Sequence, residues 1–162
     1  MVTLPRTPSQ TVGPFYSIGL CRRDENELVP RGAPGSIELA GQLLDGEGAP
    51  IVDGLVELWD PAGLRWGRSA TDGGGRFSFV VAKPDAPPGE AARYDVWVHA
   101  RGLLRQQLTR IYFPDDGSNE TDPALAQLGD EDRSTLIAEA EHGSLRFDIR
   151  LQGEGATVFF AH

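Results

Sequence analysis

The sequence predicts an all-β protein built as a two-layer β-sandwich. Its 162 residues include 20 glycines and 12 prolines, spread between short apolar segments, as is typical of many strands joined by turns. Those segments alternate apolar and polar residues with the period of two that a half-buried strand requires. The length fits one domain that buries about two-thirds of the surface its unfolded chain exposes. Seven or eight strands and one short helix make a sandwich the simplest architecture.

The first predicted strands lie between residues 36 and 81. Segments 36–45 (SIELAGQLLD) and 54–60 (GLVELWD) alternate in this way and flank the turn sequence DGEGAP. The next segment, DGGGRFSFVVA, predicts a hairpin turn at 72–75 followed by a strand through Phe77 and Phe79. No Lys-Ser or Lys-Thr pair follows these glycines, so a hairpin is favoured over a phosphate-binding loop.

The clearest strand is RYDVWVHARG, residues 93–102. Segment 104–113 (LRQQLTRIYF) follows almost at once, so we expect the two to pair antiparallel across Gly102. Segment 144–152 (SLRFDIRLQ) is predicted as a late strand, and GEGATVFF as a turn with a short edge. One face of the clearest strand carries Tyr94, Val96 and Val98, and the other carries Asp95, Trp97 and His99.

One segment, 122–140, has the pattern of a helix. Asp122 suits the N-terminal cap, Pro123 the first helical position, and Gly129 the end of its first part. The chain is divided into an N-terminal arm with linker, 1–35, and a sandwich domain, 36–162.

The arm sequence TPSQTVGPFYSIGL, residues 7–20, is predicted to be neither helix nor inner strand. Pro14 lacks the N–H that both structures use. A solvated tail would not carry four large apolar residues so close together, namely Phe15, Tyr16, Ile18 and Leu20. The arm is therefore expected to be a stiff segment that makes an interface.

Composition excludes several classes of function. The formal net charge of −9 argues against nucleic acid and against an anionic membrane surface, since both need clustered Lys and Arg. The single cysteine, Cys21, excludes an internal disulfide and a cysteine zinc cluster, and favours a cytoplasmic protein. The opening MVTLPRTPSQ has no signal-peptide run, and no stretch of about 18 apolar residues predicts a membrane span.

Candidates for chemistry are few. The three histidines, His99, His142 and His162, form no His-x-His pair, and the chain has no G-x-S-x-G motif. We therefore expect no metal site and no catalytic residue. His99 is either a hydrogen-bonded structural residue or an interface residue. Arg101, where a strand meets a glycine turn, either pairs with an acidic neighbour or holds a ligand carboxylate through its planar fork.

The two ends of the chain carry a resemblance to a known family. TPSQTVGPFYSIGL and RFDIRLQGEGATVFF, with VELWD, GRFSFVVAKP and HARGLLRQQLTRIYFPDD between them, closely resemble the alpha subunit of two-subunit intradiol ring-cleaving dioxygenases. The resemblance implies a β-sandwich and an alpha–beta protomer within a larger hetero-oligomer. It also implies that the beta subunit holds Fe(III) through two tyrosines and a His-x-His pair. With O2, such enzymes cleave 3,4-dihydroxybenzoate between its hydroxyl-bearing carbons to 3-carboxy-cis,cis-muconate.

This chain departs from the iron-binding pattern. Arg93 and Asp95 stand approximately where the His-x-His pair would lie, and Tyr16, Tyr94 and Tyr112 are the only tyrosines. The chain is therefore expected to bind no metal and to depend on the iron of its partner. Our hypothesis is that Arg93 and Asp95 form a cation–carboxylate contact there; the alternative is two unrelated surface side chains.

The resemblance also assigns substrate-binding residues. The family's T-x-G-P segment lies at the alpha–beta interface as one wall of the substrate pocket, which here implies Thr11, Gly13 and Pro14. An arginine at the end of the alpha strand, here Arg101, orients the carboxylate of the aromatic substrate. Two other functions stay open, an independently active intradiol dioxygenase and a non-enzymatic transthyretin-like binding module.

Overall fold

The computed structural model describes residues 6–13 and 15–161, and it confirms the predicted β-sandwich. In this part of the chain the residues form nine strands. Their bounds are β1 Ile37–Leu44, β2 Leu55–Asp60, β3 Arg65–Ala70, β4 Arg76–Val81, β5 Arg93–His99, β6 Gln107–Tyr112, β7 Glu139–Glu141, β8 Ser144–Arg146 and β9 Ile149–Arg150.

Two sheets make up the sandwich. The first has the order β4-β1-β8-β7, with β9 also on β1; β1 is antiparallel to β4 and parallel to β8 and β9. The second has the order β3-β2-β5-β6 and is antiparallel throughout. Residues of the predicted linker also join the first sheet, since Leu28 N donates to Val80 O at 2.9 Å and Val80 N donates to Asn26 O at 2.9 Å.

The core forms where the inner faces of the two sheets meet. On β5 the predicted alternation is confirmed, because Tyr94, Val96 and Val98 are fully buried. The hydroxyl of Tyr94 donates to Ala82 O at 2.7 Å, which gives this buried polar group a partner. Phe79 lies in the same core. The opposite face of β5 carries Asp95, Trp97 and His99, which are half-buried.

The predicted hairpin across Gly102 is confirmed, with β5 and β6 antiparallel and Arg93 opposite Tyr112. Gly102 has φ +89°, a conformation that glycine adopts without strain. The hairpin predicted at 72–75 is wrong: the glycine turn does join two strands, but β3 before it pairs with β2 in the second sheet and β4 after it pairs with β1 in the first, so the turn crosses between the sheets. The strand before it, β3, was not predicted.

The helix predicted over 122–140 is wrong. Instead, that region and the residues before it form two 3-10 turns, Gly117–Glu120 and Leu125–Gln127, and a five-residue helix α2, Asp130–Ser134. The Asp122 carboxylate does accept the N–H of Ala124 at 2.9 Å, as a cap does. The helix cannot continue because Tyr112 N donates to Leu136 O at 2.8 Å and Ala138 N donates to Tyr112 O at 3.0 Å. Those two bonds require extended backbone.

A second difference is a short helix α1, Tyr16–Leu20, within the arm. We expected no helix there because of Pro14. The helix begins two residues after Pro14, so the missing proline N–H removes no bond from it. Neither helix, nor any other in the described residues, is long and apolar enough to cross a membrane.

Candidate functional site

The far end of the β2–β5 pair brings two charged residues together. Leu55 lies opposite His99 in this antiparallel pair, so the same register continued by two residues sets Asp53 opposite Arg101. The carboxylate of Asp53 forms an ion pair with Nε of Arg101. The Arg101 side chain stays 58% exposed. Because arginine has five N–H donors, pairing through Nε leaves donors for a second carboxylate.

The arm attaches to the same end of β5. The Thr11 hydroxyl oxygen accepts the N–H of Gly102 at 2.8 Å. The Tyr16 hydroxyl lies 2.5 Å from the Asp53 carbonyl oxygen and 3.0 Å from that of His99. Burial raises the pKa of Tyr16 to about 12. Thr11 and Tyr16 therefore fix the arm to its own sandwich beside Arg101.

The predicted substrate-binding residues are partly brought together. The Thr11 hydroxyl binds the N–H of Gly102, the residue after Arg101, so Thr11 and Arg101 both lie at the turn after β5. Gly13 is exposed and its carbonyl accepts the N–H of Tyr16 at 3.2 Å. Pro14 lies outside the described residues. Phe15 and Ile18 point away from the sandwich, with 74% and 75% of their surface exposed.

His99 has a structural partner on the outer sheet face. Its Nε2 lies 3.2 Å from a carboxylate oxygen of Glu57. The other Glu57 oxygen accepts from Arg68 Nη2 at 2.6 Å, and Arg68 Nη1 donates to Leu20 O at 2.9 Å at the end of α1. The hydrogen bond from His99 lowers the pKa of Glu57, against the effect of burial. His99 thus belongs to a polar chain that fixes the end of α1.

The start of β5 carries a second charged cluster. Arg93 is buried and its Nε lies 3.3 Å from Asp95 Oδ1, so the contact predicted between these residues is present. Arg93 also pairs with Glu90. From β6, Arg110 Nε lies 3.4 Å from the same Asp95 oxygen. Two guanidinium groups and two carboxylates therefore compensate one another.

Tyr112 extends this cluster to Asp122. Its hydroxyl accepts from Arg110 Nη1 at 3.2 Å and donates to Asp122 Oδ1 at 3.1 Å. Burial raises the pKa of Tyr112. Burial acts to raise the pKa of Asp122 as well, but the N–H groups of Ala91, Leu125 and Ala124 outweigh it and hold that pKa low. Among the residues described, no group of three or more His, Cys, Asp or Glu is arranged to hold a metal ion.

Sequence reasoning missed Asp53, Arg110 and Asp122 as members of these clusters. The register of the antiparallel strands could have identified the first two, Asp53 and Arg110. A hairpin centred near Gly102 sets Arg110 opposite Asp95, and the β2–β5 register sets residue 53 opposite 101. Asp122 could not be found in this way, because its position depends on the irregular segment after β6.

Known relatives match this chain over nearly its whole length. The protocatechuate 3,4-dioxygenase alpha chain of Burkholderia cepacia is 35% identical over 196 aligned positions, covering 99% of each chain. That of Pseudomonas putida is 34% identical and covers 97% of this chain and 96% of the relative. The protocatechuate 3,4-dioxygenase beta chain of B. cepacia is 30% identical over 75% of this chain and 66% of its own length. No family model matches the sequence.

Solved structures agree on the fold. The dioxygenase domain of a dioxygenase carbohydrate-binding protein fusion from Streptomyces sp. SirexAA-E has a TM-score of 0.63 at 22% identity, covering 92% of this chain and 99% of that domain. Catechol 1,2-dioxygenase from Pseudomonas arvilla C-1 has a TM-score of 0.58 at 22% identity, over 78% of this chain and 55% of that one. The expected intradiol-type sandwich is thereby confirmed. With the full-length identity to the alpha chains, the chain belongs to the protocatechuate 3,4-dioxygenase family of intradiol dioxygenases, as a relative of its alpha chains.

Proposed function

We propose that this chain is the non-iron subunit of a protocatechuate 3,4-dioxygenase, active only together with an iron-bearing beta subunit in a hetero-oligomer. The assembled enzyme cleaves 3,4-dihydroxybenzoate between the hydroxyl-bearing carbons and inserts both atoms of O2, giving 3-carboxy-cis,cis-muconate. The observation that carries the proposal is that Thr11 binds the arm, through the N–H of Gly102, to the same turn that carries the exposed Arg101. The matches to alpha and beta chains support the pairing of subunits.

The substrate's carboxylate is the group we assign to Arg101. A guanidinium group recognises a carboxylate through two parallel N–H···O bonds, which adds geometric selectivity to charge attraction. Arg101 is exposed, and among the described residues its ion pair with Asp53 uses only part of its donor set. Its Asp53 pair keeps the cation oriented while donors stay open toward a ligand.

The arm supplies the wall of the pocket in this proposal. Thr11 is held through the turn at Gly102, and Gly13 allows the backbone to approach an aromatic ring closely because it has no side chain. Pro14, also assigned to the wall, fixes the path of the arm. The exposed Phe15 and Ile18 suit contact with the partner subunit, since large apolar side chains make strong interface contacts when covered.

The ferric iron of the reaction is assigned to the beta subunit. At the start of β5, where the resemblance sets the His-x-His pair, this chain has the Arg93 guanidinium, with Arg110 beside it. The two guanidinium groups already neutralise the carboxylates of Glu90 and Asp95, so these four side chains offer a trivalent cation no net negative charge and do not fit iron. When bound in the partner, the iron activates the catecholate for reaction with O2, and this chain contributes binding and orientation.

The proposal also covers which residues form the subunit interface and in which cellular compartment the enzyme works. We assign residues 1–35 to the subunit interface and residues 36–162 to the scaffold that carries it. The acidic chain, with net charge −9, and its single cysteine suit a cytoplasmic enzyme of aromatic catabolism.

Co-expression with and without an iron-bearing beta chain tests this function. We expect cleavage of protocatechuate in the co-purified complex and none by this chain alone. In that complex, Arg101→Ala should weaken protocatechuate binding about ten- to a hundred-fold, as expected for losing a charge-assisted hydrogen bond. Binding of catechol, which has no carboxylate, should change less than about two-fold.

Two outcomes would contradict the proposal. Cleavage by this chain in the absence of the beta chain would make it an independent dioxygenase. Equal weakening of both ligands by Arg101→Ala would remove the carboxylate role. Arg146→Ala is the matched control, because Arg146 also pairs with one aspartate at an exposed position, on the first sheet.

A further inference from the structure

Asp53 contacts both parts of the proposed substrate site. Its carboxylate pairs with Arg101, and its backbone carbonyl oxygen accepts from the Tyr16 hydroxyl of the arm at 2.5 Å. The residue lies in the loop before β2, and the β2–β5 register aligns it with Arg101. A single residue thus touches the cation and the arm.

The carboxylate of Asp53 limits the freedom of Arg101. An exposed arginine on a turn samples many rotamers, and ordering such a side chain on binding has an entropic cost. Contact through Nε restrains the guanidinium before a ligand arrives, and in the part of the chain that the structure describes the ion pair leaves the donors of the two terminal nitrogens available. Asp53 is itself only 20% exposed at its side chain, so this contact is held by the fold rather than by two mobile groups.

We propose that Asp53 is the positioning residue of the substrate-carboxylate site, orienting Arg101 for bidentate binding and keeping the arm next to it. The inference rests on the proposed function, because it assigns the orientation of Arg101 within that same pocket. Asp53 touches neither the substrate nor the reacting atoms and acts through Arg101. It therefore determines discrimination between carboxylated and plain catechols rather than the rate of ring cleavage.

Asp53→Asn in the assembled alpha–beta enzyme tests this role. We expect the dissociation constant of protocatechuate, measured without O2 by calorimetry, to rise about ten-fold, a change equivalent to about 1.4 kcal/mol. The dissociation constant of catechol should stay within about two-fold, and kcat at saturating protocatechuate should likewise stay within about two-fold. Asp53→Glu keeps the charge and should recover most of the discrimination.

A double variant links Asp53 to Arg101. If Asp53 acts through Arg101, then Asp53→Asn added to Arg101→Ala should cause no further loss of protocatechuate affinity. Asp148→Asn, which removes a carboxylate from the Arg146 ion pair on the other sheet, is the matched control and should leave both dissociation constants unchanged.

Several results would overturn the inference. Unchanged protocatechuate binding by Asp53→Asn would show that Asp53 does not position Arg101. Tighter binding would show that Asp53 competes with the substrate carboxylate for Arg101. Equal weakening of protocatechuate and catechol, or a failure of Asp53→Glu to recover discrimination, would reduce Asp53 to general support of the fold. If Arg101→Ala itself leaves discrimination intact, the proposed carboxylate site fails; if only Asp53→Asn does, the failure is confined to this inference.

Discussion

The two ends of β5 use the same kinds of side chain in opposite ways. At its start, Arg93 is buried between the carboxylates of Glu90 and Asp95. Beyond its end, Arg101 is exposed and, within residues 6–13 and 15–161, pairs with one carboxylate, that of Asp53. A buried guanidinium has its donors taken by the protein and contributes to the fold. An exposed one with donors left over is available to a ligand.

The difference follows from the cost of burying charge. A charge removed from water is tolerated only when paired and hydrogen-bonded. The cluster at the start of β5 meets this requirement with two guanidinium groups, carboxylates and the Tyr112 hydroxyl. At the far end of β5, water solvates part of the Arg101 guanidinium. An arginine that selects a carboxylated ligand can therefore lie there without destabilising the core.

The largest effect is expected from Arg93→Ala. The change removes the buried cation between Glu90 and Asp95 and leaves Asp95 only its longer contact with Arg110, so the free energy of unfolding should fall by about 3 kcal/mol. Urea denaturation of the chain measures this. The control Arg146→Ala removes an exposed partner of Asp148 and should change the same quantity by less than about 1 kcal/mol. Equal losses would show that burial does not distinguish the two kinds of pair.

A smaller effect is expected from removing single hydroxyls. Tyr112→Phe breaks bonds to Arg110 and Asp122 inside the buried cluster, and should lower the free energy of unfolding by about 2 kcal/mol. Tyr16→Phe removes the one O–H donor that the carbonyl oxygens of Asp53 and His99 share at the half-buried arm, and should lower the free energy of unfolding by about 1 kcal/mol or less. Thermal or urea unfolding of the two variants compares them directly, and the reverse order would contradict the comparison.

The smallest effect concerns alkaline pH. The pKa of Tyr16 is raised from 10.0 to about 12 by burial, so the folded protein favours the neutral phenol. The stability that this hydroxyl contributes is complete below pH 10 and is lost as pH rises through about 12. Subtracting the tyrosinate absorbance titration of Tyr16→Phe from that of the unsubstituted chain should give a midpoint near 12. A midpoint near 10 would mean that the arm leaves this hydroxyl in water.

Local alternation was enough to predict β5 and its hairpin with β6. Tyr94 and Val96 alternate with Asp95 and Trp97, and Gly102 supplies the turn, so every short-range signal agrees with the final structure. The contact between Arg93 and Asp95 could also be predicted from the sequence, because residues two apart on a strand share a face.

Long-range pairing explains what the sequence did not reveal. Asp122 has the chemistry of a helix cap and does cap a turn, but the pairing of Tyr112 with Leu136 and Ala138 pulls the following segment into extended backbone. The position of Asp53 beside Arg101 depends likewise on strand register. Neither could be read from local propensity.

The parallel pairing of β1 with β8 has a consequence for how the chain folds. Leu39 lies beside Leu145, and Leu43 lies beside Ile149. The middle of the first sheet therefore stays open until residues far along the chain have been synthesised. Pairings of such large sequence separation slow folding, because a long loop must be closed before the contacts form. During synthesis, the edge of β1 that later pairs with β8 and β9 is unpaired. We expect the pairing that covers this edge to be the folding step most sensitive to temperature and to chaperones.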